Sequence, residues 1–139
     1  MGGSKTQNSR YMLFKKHFTV QEAVRTLPLV KQIVKDILDT SHQIRTMGAV
    51  LQEKTEDHPQ IEGLVEQLKS FIAELEEMGC YYKDWNFSIG LVDFPAIIDD
   101  KEVFLCWRSD EPEIKYYHEI EAGYAGRKPI SDLGFRIRD

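Results

Sequence analysis

At Gly79 the apolar periodicity of this chain switches from that of a helix to that of a strand, which points to segregated helical and strand halves. Before it, Val24, Leu27, Val30, Ile33, Val34, Ile37, Leu38, Ile44, Met47 and Leu51 recur in steps dominated by three and four, which places them on one helical stripe. Thr19-Val-Gln-Glu22 has capping-box spacing, in which hydroxyl and carboxylate each reach the other residue's amide. Pro28 has no amide to donate, so the pattern predicts a break there, with a short helix over 20–27 and a long one over 28–54. Residues 54–60 are polar and contain His58-Pro59, which reads as the connection. A second stripe follows over 60–78, with Ile61, Leu64, Val65, Leu68, Phe71, Ile72, Leu75 and Met78. Glu74, Glu76 and Glu77 oppose the dipole at its C-terminus, and Gly79 is placed to end it in a left-handed cap. A connection this short makes the two helices antiparallel neighbours over residues 19–78.

After Gly79 come eleven of the fifteen aromatic residues, so most aromatic packing falls in residues 80–139. Strands are predicted over 80–84, 91–98, 102–108 and 114–119, with Asp99-Asp100-Lys101 turning a hairpin between the second and third. Alternation in 102–108 sets Val103, Leu105 and Trp107 on one face and Phe104 and Cys106 on the other. Both faces are apolar, which predicts a central strand covered twice. Pro95 cannot donate to a ladder, so 91–98 is expected at an edge or broken at that residue. Residues 122–139, with glycines at 123, 126 and 134, read as ordered loop.

The fold class is therefore α+β: a long antiparallel helical hairpin followed by a small antiparallel sheet of three to four strands. One domain covers 1–139, with 1–10 as a flexible tail. Each helical stripe is longer than a single partner helix can cover, which predicts a homodimer through the helical half. No run approaches the ~18 consecutive apolar residues of a membrane helix. The polar first ten residues lack a signal-peptide core, so a cytoplasmic protein is expected. The net charge of −5 argues against nucleic-acid binding, because the one basic concentration, Arg127, Lys128, Arg136 and Arg138, is diluted by Asp132 and Asp139. Cys80 and Cys106 have no CxxC spacing and lie among apolar residues, so they read first as small buried hydrophobes.

No nucleotide-binding, nucleophile-elbow or zinc-protease motif is present. The polar groups that stand in aromatic sequence are Asp93, Cys106, Arg108, His118, Glu119, Glu121 and Arg127. His118-Glu-Ile-Glu121 offers imidazole and carboxylate for a divalent transition metal, with His118 and Glu121 as ligands, or for acid–base chemistry. In a helix His118 and Glu121 would meet across one turn; in a strand His118 would point away from both Glu119 and Glu121. The plainer alternative is a packed histidine with one hydrogen-bond partner and two solvated glutamates. Asp93, between Val92 and Phe94, needs a partner if buried, and Arg108 or Arg127 could supply it as a structural pair or as the floor of an anion pocket. The glycines before Arg127 suit a loop that cradles an anion, and equally a tight ordered turn.

The runs Gly-Leu-Val-Asp-Phe-Pro-Ala (90–96), Val-Phe-Leu-Cys-Trp-Arg (103–108), Glu-Pro-Glu-Ile (111–114) and Tyr-His-Glu-Ile-Glu-Ala-Gly-Tyr-Ala-Gly-Arg (117–127) resemble domain of unknown function 2203. Phe18-Thr-Val-Gln-Glu-Ala23 and Leu27-Pro28 fit the same pattern, and the resemblance spans about residues 17–130. It implies a small cytosolic prokaryotic protein with no established activity. The family pattern keeps Asp93, Cys106, Trp107, Arg108, His118, Glu119, Gly123, Gly126 and Arg127, which implies that they form one site. Two readings stand at this stage. One is a self-associating structural or interaction module; the other is a metal-dependent or small-anion site, a candidate enzyme, built from Asp93, His118, Glu121 and Arg127.

Overall fold

The computed structural model describes residues 12–51 and 58–134. The tail expected over 1–10, the residues 52–57 between the helices and the end of the C-terminal loop, 135–139, lie outside them. Helix α1 (Val20–Leu51) and helix α2 (Pro59–Met78) precede five strands: β1 (Tyr81–Tyr82), β2 (Leu91–Ile98), β3 (Lys101–Arg108), β4 (Tyr116–Glu119) and β5 (Lys128–Pro129). The strands form one antiparallel sheet in the order β1-β2-β3-β4-β5.

Local signals act as their chemistry requires at both ends of the helical half. The Thr19 amide donates to Glu22 Oε1 at 2.9 Å, and the Glu22 amide donates to Thr19 Oγ1 at 3.0 Å, which closes the capping box. Gly79, at φ 94°, stops α2 while its amide and that of Cys80 satisfy the carbonyls of Glu76 and Leu75. The break expected at Pro28 does not occur, and α1 runs through it as one helix of 32 residues. Pro28 lies on the exposed side of α1, as does Val24, whose carbonyl loses its donor, so water can satisfy that carbonyl.

The sheet has five strands, not three to four, because β1 and β5 are two-residue strands whose pairing extends the sheet at both edges. Asp99 and Asp100 both adopt positive φ and form the two-residue turn that locks β2 to β3, with Ile98 opposite Lys101. β3 is central and buried from Val103 to Trp107. Pro95 is tolerated inside β2 because β1 pairs only with Val92 and Asp93. Past that point β2 is an edge, where the Pro95 carbonyl accepts from the Phe18 amide at 2.7 Å.

Both helices cover one face of the sheet. Ala23, Leu27, Val30, Ile33, Val34 and Ile37 of α1 and Leu75 of α2 share a buried core with Val92, Phe94, Val103, Leu105 and Trp107. Gly90 marks the closest approach, since a Cβ there would stand 2.2 Å from Val34 Cγ1. Alternation sends Asp93, Phe104, Cys106 and His118 to the opposite face, where they are also buried although they are not part of the helical core. The polar residues of interest therefore occupy a second, smaller interior.

Residues 13–17 form a strap that sets Phe14 over part of that second face. The amides of Leu13 and Phe14 donate to the two carboxylate oxygens of Glu102 at 2.7 and 2.9 Å, and His17 Nε2 lies 2.8 Å from Oε2. Phe14 packs on Tyr81 and Phe104, each ring centroid 5.2 Å away. Burial opposes the Glu102 charge, but the Leu13 amide, His17 and the Phe14 amide outweigh it and hold its pKa below the usual range. A lowered carboxylate pKa contributes stability above the unfolded value that is lost as pH falls through the folded one, so acidification loosens the strap. Glu102→Ala should expose the exposed Lys15 and Lys16 to trypsin roughly tenfold faster at neutral pH, given about 1.5–3 kcal/mol for hydrogen bonds to a charged group. Unchanged cleavage there would mean that Phe14 packing alone holds the strap.

Candidate functional site

The register of three strands assembles a group that no linear spacing displays. The β2–β3 turn places Asp93 opposite Cys106, and β3–β4 pairing places Phe104 opposite His118. Asp93 and His118 thus reach toward each other across the central strand, with Cys106 beside them. His118 Nε2 lies 3.2 Å from each Asp93 oxygen, with the two side chains 3% and 5% exposed. His118 Nδ1 donates to the Glu119 carbonyl at 2.8 Å, which leaves Nε2 as the nitrogen that faces the carboxylate. One nitrogen or oxygen of His118 and Asp93 and the Cys106 sulfur all lie within 4.8 Å of one another.

Burial disfavours the imidazolium, but the hydrogen bond and charge of Asp93, aided by the Glu119 carbonyl, outweigh it and raise the His118 pKa. Burial likewise pushes the Cys106 thiol up to about 12, reinforced by the Asp93 carboxylate and opposed by Arg127. Without a metal the raised His118 pKa widens the pH range over which an imidazolium faces Asp93, beside a thiol that stays protonated. A thiol of that kind is not the thiolate that nucleophilic catalysis needs. A bound cation would change this by taking the place of the protons.

The three groups open onto a pocket of about 250 Å³, completed by Lys83, Leu91, Phe104, Ile120, Gly123 and Tyr124. Gly123 takes φ 67°, a conformation that suits glycine, as the chain enters the turn over Tyr124–Gly126. Arg127 then returns beneath this turn, its guanidinium 4.2 Å from the Tyr116 ring centroid and 4.9 Å from that of Tyr124. It donates to Glu111 Oε1 at 2.6 Å and to the Cys106 carbonyl at 3.1 Å. Arg108 is clasped by both oxygens of Asp110 and donates to the Tyr124 hydroxyl.

The expected residues therefore divide. Asp93, Cys106 and His118 come together; Arg127 and Arg108 frame the turn beside them and are engaged by Glu111 and Asp110. The partner of Asp93 is His118 and neither arginine, because the arginines find closer carboxylates. Glu119 and Glu121 face elsewhere: residues 116–119 are a strand, so Glu119 lies on the opposite face from His118, with Lys128 Nζ 3.6 Å away. Glu121 is exposed and lines a separate depression of about 460 Å³ with Glu119, Lys101 and Lys128. The helical spacing that would join His118 to Glu121 does not arise, and Asp93 and Cys106 stand around the imidazole instead. Lys83 and Glu111 were not among the expected residues. The parity of strand 80–84 carries a signal for Lys83, because it shares a face with Tyr81.

A family model described as an uncharacterised conserved protein, DUF2203, matches residues 16–130. The chain belongs to this family. The matched span includes every member of the Asp93–Cys106–His118 group, the strand pairings that assemble it and the turn that ends in Arg127. Comparisons with curated proteins and with solved structures find no match. No helix among the described residues is long and apolar enough to cross a membrane.

Proposed function

We propose that this chain binds a divalent transition metal of the zinc class through Asp93, Cys106 and His118. One observation carries the reading: an imidazole nitrogen, a carboxylate and a sulfur lie within 4.8 Å of one another in a buried group that opens onto a pocket. Thiolate and imidazole favour zinc and its neighbours over magnesium or calcium, which seek several oxygens. Ligand atoms around one tetrahedral zinc stand roughly 3.5 Å apart, so modest side-chain rotation closes the group. The Glu119 carbonyl supports the same reading, because a histidine ligand commonly donates its second ring N–H to such an acceptor. Three protein ligands leave a position for water or substrate, the pattern of catalytic rather than structural zinc. Both cysteines are free and buried, which suits a reducing, cytoplasmic setting.

The test is elemental analysis of full-length protein purified without chelators, paired with thermal melts at added zinc. One equivalent of metal is expected in the wild type and little in Cys106→Ala or His118→Ala. Zinc at a hundred times Kd should add about 2.7 kcal/mol of stability to the wild type alone. Metal-free protein that gains nothing from zinc would leave Asp93 and His118 as a structural ion pair.

A second reading concerns the helical half, where Val24 and Leu29 of α1 are 52% and 55% exposed and Val50 is 76% exposed. Exposed apolar positions on a long helix favour self-association as an interaction module. Light scattering at micromolar concentration checks it, and a monodisperse monomer would remove it.

A further inference from the structure

The mouth of the Asp93–Cys106–His118 pocket carries one cation of its own. Lys83 follows β1, and its amide donates to the Leu91 carbonyl at 2.8 Å, which continues the strand parity and sends its side chain to the same face as Asp93. Its ammonium stands 5.0 Å from the centroid of the Phe104 ring, the ring that also packs edge-on against His118 at 5.5 Å. Lys83 lines the pocket, and its charge is felt at His118. Among the described residues no carboxylate lies within ion-pair distance of it, whereas Arg108 and Arg127 are each held by one. Among the described residues that line the pocket, Lys83 is thus the one cationic side chain, solvent-exposed and without a carboxylate partner.

Charge and volume together select an occupant. A divalent ion on one carboxylate, one thiolate and a neutral imidazole makes a centre of zero net charge, so Lys83 supplies the remaining charge of the pocket. A volume of about 250 Å³ equals roughly eight water molecules, below the range of pockets that hold nucleotide-sized ligands. Leu91, Phe104 and Ile120 give the walls an apolar character, which strengthens an ion pair formed within them. We infer that the pocket admits a small monoanionic oxyanion of carboxylate or bicarbonate size, with one oxygen on the metal and its charge paired with Lys83. This rests on the metal reading and adds the ligand class, with Lys83 as the residue that selects it.

Cobalt-loaded full-length protein tests the two steps separately, because cobalt coordination has a visible spectrum. Acetate, titrated at constant ionic strength, should shift the cobalt bands saturably, and acetamide should not. Lys83→Gln should still take up one equivalent of cobalt yet, once loaded, bind acetate about tenfold more weakly, with Lys83→Arg restoring most of the affinity. Equal acetate affinity in Lys83→Gln, or an equal response to acetamide, overturns the inference while the metal reading stands. So does a cobalt-loaded wild type whose bands ignore acetate. A wild type that takes up no cobalt overturns the metal reading and this inference with it.

Discussion

Zinc uptake by the metal-free chain is expected to release two protons per ion at acidic pH and one proton per ion once His118 has titrated. The free site holds one proton on His118 Nε2, kept there by Asp93, and another on the Cys106 thiol, whose pKa stands at about 12. Zinc needs both atoms bare, so each proton competes with the metal. Below the raised His118 pKa both protons leave, and the apparent affinity should climb about a hundredfold per pH unit. Above it only the thiol proton leaves, and the climb slows to about tenfold per unit until the thiol itself titrates. Competition against a chromophoric chelator across this range gives the slopes, and an unbuffered titration with a pH indicator counts the protons directly. A site of His118 and Glu121 alone would release no proton above the imidazolium titration, because no thiol takes part. Release that stops there would therefore remove Cys106 from the ligand set, and Cys106→Ser with an unchanged slope would do the same.

What could be read before the fold was known depended on how far apart the interacting residues lie. The Thr19 box, the Gly79 stop and the alternation through β3 each involve a few consecutive residues, so their chemistry is legible in one stretch of chain. Pro28 misled because missing a hydrogen bond matters only where water cannot replace it, and exposure is a tertiary property. Pro95 was half legible: it does lie at an edge, but only because β1 is two residues long and ends before reaching it. β5 left no signal of its own, since two residues that include a proline do not look like a strand until Tyr116 and Tyr117 pair with them. The site shows the same limit more sharply. Asp93, Cys106 and His118 were each noticeable as polar groups in aromatic sequence. Their meeting depends on two strand registers, which join residues 25 apart. Local spacing offers His118 only its near neighbours, whereas the strand registers bring Asp93 and Cys106 to it. Lys83 carries only the weak signal of a face shared with Tyr81, and that face meets Asp93 only through the β1–β2 register.

Asp93→Ala is expected to cost the metal-free protein about 3–5 kcal/mol near pH 6, on the order of 10–15 °C in melting temperature. The magnitude follows from burial: both partners are almost wholly enclosed, and removal of the carboxylate makes the imidazolium either stay unpaired or give up its proton. The pH dependence separates this from simple loss of packing. The folded His118 pKa is raised above its unfolded value of about 6.5, so the stabilisation is complete below that value and is lost as pH rises through the folded pKa. The gap between wild type and Asp93→Ala should therefore narrow on the alkaline side, where the mutant histidine is neutral and so is the wild-type one. His118→Ala should cost a similar amount at acidic pH, and the double variant much less than the sum, because the two changes delete one interaction. Urea denaturation of the four proteins at two pH values supplies the cycle, and additive costs would mean that the pair contributes little as a pair. Zinc should reverse the sign of the trend. A metal that must displace protons binds more tightly as pH rises, so the zinc-loaded wild type gains stability toward alkaline pH while the metal-free protein loses the His118 contribution. Opposite pH slopes with and without zinc, both lost in His118→Ala, are expected if His118 exchanges its proton for the metal.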